Sequence, residues 1–156
     1  MVTTAVNSVF LDTNILVYAS IPESPFHLAS SIALQEHYQR GNELWVSRQV
    51  LREYLAVLTR PQAFSNPILT PTLVTAVQLF EGSFRIAEDN RRVTEILLNL
   101  IGQVPVGGRQ IHDTNIVATM LAHGVCQLLT HNVHDFARFS QIITVLPLNT
   151  TPSATP

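Results

Sequence analysis

The sequence predicts an α/β fold, a three-layer α/β/α sandwich around a mostly parallel central sheet. Short apolar runs of strand length, such as "VFL" and "LWV", alternate along the chain with longer segments whose apolar residues recur every three or four positions. Hydrophobic residues make up 46% of the chain and charged residues only 13%, which favours an ordered core over a disordered chain. Strands separated by helices pair in parallel through right-handed crossovers, so helices cover both faces of the sheet.

The length of 156 residues indicates a single domain over residues 1–156. We expect its core to span residues 9–148, and the polar residues 149–156 to form a flexible tail. No apolar run reaches the length of a membrane span, and no secretory signal is visible. The sequence therefore predicts a cytoplasmic protein that makes no contact with a membrane.

In the first half of the chain, residue spacing and end signals define the predicted elements. The apolar residues of "SRQVLREYLAVLTRP" recur at i, i+3, i+4 and i+7, and Pro61 ends this helix because proline restricts the residue before it. Thr13 and Asn14 are predicted to form a turn after the first strand, and Gly41 closes the first helix. In order, we predict a strand at 9–12, a helix at 26–39, a strand at 44–46 and the helix before Pro61.

In the second half, stretches rich in glycine and proline separate the predicted elements. "AFSNPILTP" and "GQVPVGGRQ" are predicted loops, and Gly124 is the C-cap of the helix in "HDTNIVATMLAHG". The strand in "GVCQLLT" is predicted to bury the lone cysteine, Cys126, as a small apolar side chain. In order, we predict a helix at 71–81, a strand at 84–87, helices at 90–101 and 112–123, a strand at 125–130, a short helix at 133–139 and a strand at 142–148.

Four carboxylates fall where such a sheet gathers its ligands. Asp12 ends the first strand, Asp113 opens a helix after a glycine-rich loop, and Asp135 follows the strand that ends at Thr130. Glu53 lies in the middle of a helix, at the edge of its buried face. The first strand and this later strand are expected to be neighbours, and ligands bind at the carboxyl ends of parallel strands. We therefore predict that these acids share one crevice.

Clustered carboxylates repel one another and raise one another's pKa values. A hard divalent cation relieves the repulsion, because Mg²⁺ prefers oxygen ligands and commonly sits between carboxylates and phosphates. One or two such ions can activate a water molecule and stabilise the leaving oxygen of a phosphodiester. The sequence therefore predicts metal-dependent phosphodiester hydrolysis, with Asp12, Glu53, Asp113 and Asp135 as catalytic metal ligands.

Each acid also has a purely structural alternative. Asp113 suits a helix N-cap, Asp135 suits the first turn of its short helix, and Glu53 could pair with an exposed arginine. Asp12 is the hardest to explain in this way, because neither capping nor solvation suits an acid flanked by apolar runs on both sides. An Asx-type turn after the strand is its structural alternative.

The nine cations of the chain are all arginines, and the absence of lysine excludes several enzyme classes. P-loop, Schiff-base and lysine-assisted aspartyl-phosphate chemistry all need that residue. The net charge of −2 gives no general attraction for nucleic acid, so binding would depend on a local rim of arginines. The candidates for this rim are Arg48, Arg52, Arg60, Arg91, Arg92 and Arg109.

Four stretches of the chain resemble, in order and spacing, the PIN-domain family. They are "VFLDTNILVYA", "VLREYLAVLTRPQAF", "IHDTNIVATMLAHG" and "LLTHNVHDF", and the resemblance is strongest to the VapC-type toxins of bacterial toxin–antitoxin pairs. It covers about residues 9–148. It implies a ribonuclease that depends on Mg²⁺ or Mn²⁺, forms homodimers and is neutralised by a small antitoxin protein. The metal ligands that it implies are Asp12, Glu53, Asp113 and an acid in "THNVHDF".

The last of these stretches departs from the family pattern. Many relatives carry an acid at the position of Asn132, and Asp135 is the only acid nearby in this chain. Asp135 could therefore be a ligand, or the site could have only three strong anionic ligands. A second function stays open for this reason, a catalytically weakened PIN-like module that acts by binding its antitoxin or a second copy.

The resemblance also suggests supporting side chains around the acids. Asn14, Thr130 and Asn132 could orient the carboxylates through hydrogen bonds, and Asn115 could do the same or face solvent. Ser47 could contact the scissile phosphate, although capping the following helix suits it better. Three histidines near the acids, which could ligate a transition metal, are more suited to supporting or surface roles. They are His112, His131 and His134, and the arginines expected to contact RNA are Arg48, Arg52 and Arg109.

Overall fold

Five strands form one sheet in the computed structural model, which describes residues 7–61 and 66–150 of the chain. The strands are β1 (Ser8–Leu11), β2 (Glu43–Ser47), β3 (Arg85–Ala87), β4 (Gln127–Thr130) and β5 (Thr144–Pro147). They lie in the order β3-β2-β1-β4-β5, and these pairings are all parallel. The predicted parallel sheet is confirmed, and β1 and β4 are neighbours as expected.

Helices cover both faces of this sheet, which confirms the three-layer sandwich. They are α1 (Thr13–Ser20), α2 (His27–Gln39), α3 (Arg48–Leu58), α4 (Thr70–Ser83), α5 (Arg91–Gln103), α6 (Gln110–Ala122) and α7 (Val133–Phe136), which a 3₁₀ turn (Ala137–Phe139) continues. From β1 the chain steps to β2 and β3, and then crosses back to β4 and β5. Since such crossovers are right-handed, α1 to α4 lie on one face and α5 to α7 on the other. The contacts agree, because α1 packs against α2 and α3 whereas α6 packs against α5 and α7.

The central strands are buried on both faces, which explains their unbroken apolar runs. Val9, Phe10 and Leu11 of β1 and Leu128 of β4 are completely buried. Such strands lack an alternation of apolar and polar residues because helices cover each face. The polar side chains that follow β1 and β4 therefore leave the core at the same edge of the sheet.

The segment after β1 differs from the prediction. Instead of a turn at Thr13 and Asn14, helix α1 begins directly at Thr13 and buries Ile15 and Leu16. Asp12 is the N-cap of this helix, and its carboxylate accepts a hydrogen bond from the Thr13 amide. The view that capping does not suit Asp12 is therefore wrong, because a carboxylate at this position satisfies a helix amide that has no other partner.

Three other predictions are wrong in detail. Helix α6 begins at Gln110, so Asp113 lies in its first turn instead of capping it. Helix α5 extends to Gln103 and shortens the predicted loop. Cys126 is exposed, because it lies just before β4 and outside the part of the strand that is covered on both faces.

Parts of two predicted segments lie outside the described residues, namely 62–65 of the proline-rich loop and 151–156 of the tail. A single domain over the whole chain stays a prediction. Within the described ranges, no helix is both long enough and apolar enough to cross a membrane.

Candidate active site

A cleft of about 400 Å³ opens at the carboxyl edge of the sheet, beside the ends of β1 and β4. The strands after β1 are added on one side of it (β2, β3) and then on the other side (β4, β5), so the strand order switches between β1 and β4. Parallel α/β sheets bind ligands at such a switch point. The structure brings three of the four predicted acids to this cleft, namely Asp12, Glu53 and Asp113. The cleft wall also contains Asn14, Asn132 and Arg60.

Asp12 is the most enclosed of the three acids, with 6% of its surface exposed. Its Oδ1 accepts a hydrogen bond from the Thr13 amide at 2.8 Å. Its Oδ2 accepts one from the Thr130 hydroxyl at 2.7 Å and one from the Asn14 side-chain amide at 3.0 Å. Burial raises the pKa of Asp12, and the bond from Thr130 only partly opposes this effect. Within the described part of the chain, the carboxylate thus accepts from three neutral donors and has no ion-pair partner.

Thr130 and Asn14 also hold the loop after β4 against the start of α1. The Thr130 hydroxyl accepts a hydrogen bond from the Asn132 amide at 2.9 Å, and the Asn14 side-chain carbonyl accepts one from the His131 amide at 3.1 Å. Both side chains therefore contact Asp12 and fix the loop that follows the neighbouring strand. Asn132 takes part through its backbone amide, and the residue lines the cleft.

Glu53 is held from both sides. Its Oε2 accepts a hydrogen bond from the Thr13 hydroxyl at 2.9 Å, and its Oε1 accepts one from the Gln49 side-chain amide at 2.8 Å. Gln49 donates a second bond to the backbone carbonyl of His112 at 3.0 Å and accepts one from Asn115 at 2.8 Å. Asn115 therefore acts on Glu53 through Gln49, and this chain of contacts joins α3 to α6.

The pKa of Asp113 is raised by burial and by the neighbouring acids. This half-buried side chain projects from the first turn of α6. Burial, and then the charges of Asp12, Asp135 and Glu53, raise the pKa of Asp113 to about 6, although the nearby His112 opposes the shift. The charges of the other three predicted acids therefore reach Asp113 and disfavour its ionised form.

The fourth predicted acid lies apart from the other three. Asp135 is exposed on α7 and does not line the cleft, although its charge reaches Asp113. Asn132, which stands where the family resemblance implies an acid, does line the cleft. Across residues 7–61 and 66–150, no three histidine, cysteine, aspartate or glutamate side chains come close enough together to hold one ion. A shared cation would therefore bind through fewer direct protein ligands.

A sequence model of the PIN domain matches residues 9–141, most of the chain. The chain belongs to the PIN domain family. Among its curated relatives is Ribonuclease VapC24 of Mycobacterium tuberculosis, 29% identical over 130 residues, which are 83% of this chain and 89% of the relative. Ribonuclease VapC48 of the same organism is 23% identical over 133 residues, 84% of this chain and 91% of the relative.

Solved structures with the same fold come from toxin–antitoxin complexes. VapBC2 from Rickettsia felis, bound to a DNA fragment from its promoter, matches with a TM-score of 0.62 and 19% identity, over 91% of this chain and 99% of the solved chain. VapBC-1 from nontypeable Haemophilus influenzae matches with a TM-score of 0.60 and 20% identity, over 90% and 98% of the two chains. At this level of identity the likeness establishes the PIN fold of this chain.

The predicted arginines of this PIN domain have different surroundings. Arg60, just beyond the end of α3, lines the cleft and makes no ion pair within the described residues. Arg48 instead donates to both carboxylate oxygens of Glu88 and to Glu81. The remaining candidates do not line the cleft; Arg91 and Arg92 pair with Glu95, whereas Arg52 and Arg109 are exposed.

Ser47 and the three histidines were also considered as contacts of phosphate or metal. The Ser47 hydroxyl accepts a hydrogen bond from the Val50 amide at 3.2 Å, so Ser47 is the N-cap of α3. The His131 ring packs against Phe26, with ring centroids 4.3 Å apart, whereas His112 and His134 are exposed. These positions favour the structural roles of Ser47 and His131.

Sequence reasoning missed two residues that position the acids of the PIN domain. Thr13 was assigned to a turn, yet its hydroxyl holds Glu53 and its amide holds Asp12. Gln49 lies four residues before Glu53, so both side chains lie on the same face of α3. That spacing was the available signal for Gln49, whereas no sequence rule pairs Thr13 with a residue 40 positions away.

Proposed function

We propose that this PIN domain chain is a metal-dependent endoribonuclease that acts as the toxin of a toxin–antitoxin pair. The observation that carries the proposal is the cleft in which the buried Asp12 and the half-buried Asp113 both have raised pKa values. Buried carboxylates with a purely structural role are normally paired with cations, whereas Asp12 and Asp113 lie in an environment that disfavours their ionised forms. Curated relatives named as ribonucleases support RNA as the substrate, and the solved toxin–antitoxin complexes support a small antitoxin as the partner.

The residues of the cleft fit a divalent cation. The oxygen atoms that line it belong to carboxylates, hydroxyls and side-chain amides, the hard ligands that Mg²⁺ prefers and that Mn²⁺ also accepts. Mg²⁺ usually keeps several waters and binds proteins through only one or two carboxylates. We assign the direct contacts to Asp12 and Asp113, and contacts through water to Glu53 and Asp135. When bound, such an ion lowers the pKa of a water molecule and stabilises the leaving oxygen of the phosphodiester.

The protein's own side chains would orient the reacting groups. Thr130, Asn14 and the Thr13 amide fix the direction of the Asp12 carboxylate and favour its ionised form. The Glu53 oxygens, held by Thr13 and Gln49, keep lone pairs that can accept a hydrogen bond from the attacking water. We therefore assign to Glu53 the orientation of that water on the side of α3.

Arg60 is the residue best placed to offset the repulsion between an acidic cleft and RNA. Arginine binds phosphate with two parallel hydrogen bonds, and this one is exposed on the cleft wall. RNA affinity should fall as salt rises between about 50 and 200 mM, and Arg60→Gln should reduce that salt dependence. Arg40→Gln is the matched control, because Arg40 is an exposed arginine that pairs with Glu36 and does not line the cleft. Contacts from Arg52 and Arg109 remain proposals.

The direct test is to map RNA ends after induced expression, comparing wild type with Asp12→Asn. The proposal expects new ends at defined positions in the wild-type sample alone. Purified wild type should cleave the same RNA with Mg²⁺ or Mn²⁺ and lose this activity with a chelator. Wild type that leaves cellular RNA intact with both metals would refute the enzymatic proposal.

Asn132 favours a second candidate function, a weakened PIN-like binding module. A neutral residue at this place in the cleft leaves fewer anionic ligands for a cation. This candidate expects wild type that is inert on RNA but still binds its antitoxin, the small DNA-binding protein that we expect a neighbouring reading frame to encode. Homodimer formation and a cytoplasmic location are further parts of the proposal. Light scattering across a concentration series tests the first of these.

A further inference from the structure

Three aromatic side chains meet at one wall of the acidic cleft. Tyr18 lines the cleft from α1, and its ring centroid lies 4.9 Å from that of Phe26 and 5.5 Å from that of His131. The Phe26 and His131 centroids are 4.3 Å apart. The three rings come from α1, from the residue before α2 and from the residue after β4, so only the fold brings them together.

This aromatic cluster differs from the aromatic residues of the core. Tyr18, Phe26 and His131 each keep part of their surface exposed, whereas Phe10 and Tyr54 are buried. The Tyr54 hydroxyl is paired with Ser20 at 2.8 Å, but the Tyr18 hydroxyl has no hydrogen-bond partner among the described residues. Tyr18 is therefore a partly exposed aromatic side chain that lines the cleft, and no described residue bonds its hydroxyl.

The cluster is fixed relative to the acids. The His131 amide donates to Asn14, and Asn14 donates to Asp12. Tyr18 lies one helical turn beyond Asn14 on α1. Burial, and then the charge of Asp12, raise the pKa of the Tyr18 phenol, which places this ring within electrostatic reach of the carboxylate.

We propose that Tyr18, backed by Phe26 and His131, is a stacking subsite for one unpaired nucleobase of RNA next to the scissile phosphate. The proposal rests on the proposed function, because the acids mark the place of that phosphate. Proteins that recognise single-stranded RNA stack its splayed bases on aromatic rings. Stacking accepts every base, so this subsite adds affinity for unpaired RNA with only a modest preference for sequence.

The test measures affinity for two short single-stranded oligomers of equal length, oligouridylate and an abasic ribose-phosphate chain. Fluorescence anisotropy at fixed salt is measured with Ca²⁺, which binds the same type of oxygen ligands, and gels check that the RNA stays intact. Tyr18→Leu should weaken oligouridylate binding by about 5- to 100-fold and leave abasic binding unchanged. Tyr18→Phe should keep wild-type affinity, because it keeps the aromatic ring.

Two further variants separate stacking from damage to the fold. His131→Leu keeps Tyr18 but removes part of its backing, so we expect a smaller loss for oligouridylate alone. Tyr38→Leu is the matched control, because Tyr38 is 79% exposed on α2 and lies outside the cleft, and it should change neither affinity. Thermal unfolding of each variant verifies that it is folded.

The outcomes distinguish this proposal from the proposed function. If wild type cleaves RNA but Tyr18→Leu binds both oligomers as wild type does, or loses both equally, the stacking subsite is refuted and the nuclease stands. An effect of Tyr18→Leu on antitoxin binding alone refutes it in the same way. Wild type that neither binds nor cleaves RNA would refute both proposals.

Discussion

The acidic cleft and the cluster around Arg48 both gather charged side chains from distant parts of the chain, with opposite electrostatic results. In the cluster, Arg48 donates to Glu81 and Glu88, and these bonds lower the pKa of Glu88 and raise that of Arg48. In the cleft, the pKa values of Asp12 and Asp113 are raised. Ionisation is thus favoured in the first region and disfavoured in the second. The comparison indicates that the Arg48 cluster serves the fold, whereas the cleft is suited to an external cation.

Asp12→Asn should have the largest effect on activity and almost none on stability. Changing residues that merely orient metal ligands costs about 10–100-fold, so loss of a direct ligand should cost at least about 100-fold in RNA cleavage. Asparagine keeps the helix cap and removes a buried charge, which offsets the loss of the Oδ2 acceptor shared by Thr130 and Asn14, so the unfolding temperature should change little. The measurements are cleavage rates and thermal unfolding, with the exposed Asp89→Asn as control. If Asp12→Asn stays active or fails to fold, the conclusion that the cleft serves catalysis and not the fold is wrong.

The pH dependence of metal binding should show the second-largest effect. The pKa of Asp113 is about 6 in the folded protein, against an ordinary value of 3.8. Because the folded state holds this proton more tightly, the associated stability is present below about pH 4 and is lost as the pH rises through about 6. A cation offsets this loss once Asp113 is ionised. Mg²⁺ should therefore raise the unfolding temperature more at about pH 7.5 than at about pH 5.

Asp113→Asn is the control for this experiment, because it removes the titrating carboxylate and should reduce the difference between the two pH values. The opposite trend, with stronger stabilisation by Mg²⁺ at the lower pH, would show that the ion does not compete with protons in the cleft. The acids of the cleft would then not differ from the paired charges around Arg48 in their need for an external cation.

Thr130→Val tests whether neutral donors keep Asp12 in place. The substitution preserves volume but removes a hydroxyl that donates to Asp12 and accepts from the Asn132 amide. We expect cleavage to fall by about 10–100-fold, because the carboxylate loses a donor and the loop after β4 loses an anchor. Thr119→Val is the control, since Thr119 is equally buried but its hydroxyl donates to the Asn115 carbonyl of its own helix, α6. Equal activity in both variants would mean that Thr130 does not position Asp12.

The position of Asp12 was predictable, whereas its local conformation was not. An apolar run that ends in an acid, followed by alternating helices and strands, was enough to place Asp12 at the carboxyl edge of a parallel sheet. Helix α1 was missed because Ile15, Leu16 and Val17 are consecutive buried residues without a helical period. Their burial depends on α2 and α3, which pack against α1 and are distant in sequence.

The surroundings of the arginines could not be predicted for a similar reason. Arg48 lies at the start of the predicted helix that carries Glu53, and it was as strong a candidate for RNA contact as Arg60. Its partners, Glu81 and Glu88, lie 33 and 40 residues further along the chain, and no sequence spacing indicates such pairs. Only the packing of α3 beside α4 and the end of β3 distinguishes a paired arginine from one that faces the cleft.

Arg48→Gln should have the smallest effect, and it completes the comparison. Since its ion pairs are exposed, their loss should lower the unfolding temperature only slightly, and high salt should abolish the difference from wild type by screening these charges. Stabilisation by Mg²⁺ should remain as in wild type, because the acids of the cleft keep their own contacts. If Arg48→Gln instead weakens RNA binding as strongly as Arg60→Gln, Arg48 leaves its carboxylate partners when RNA binds. Arg48 would then bind RNA together with the cleft, and the two regions would form one binding site.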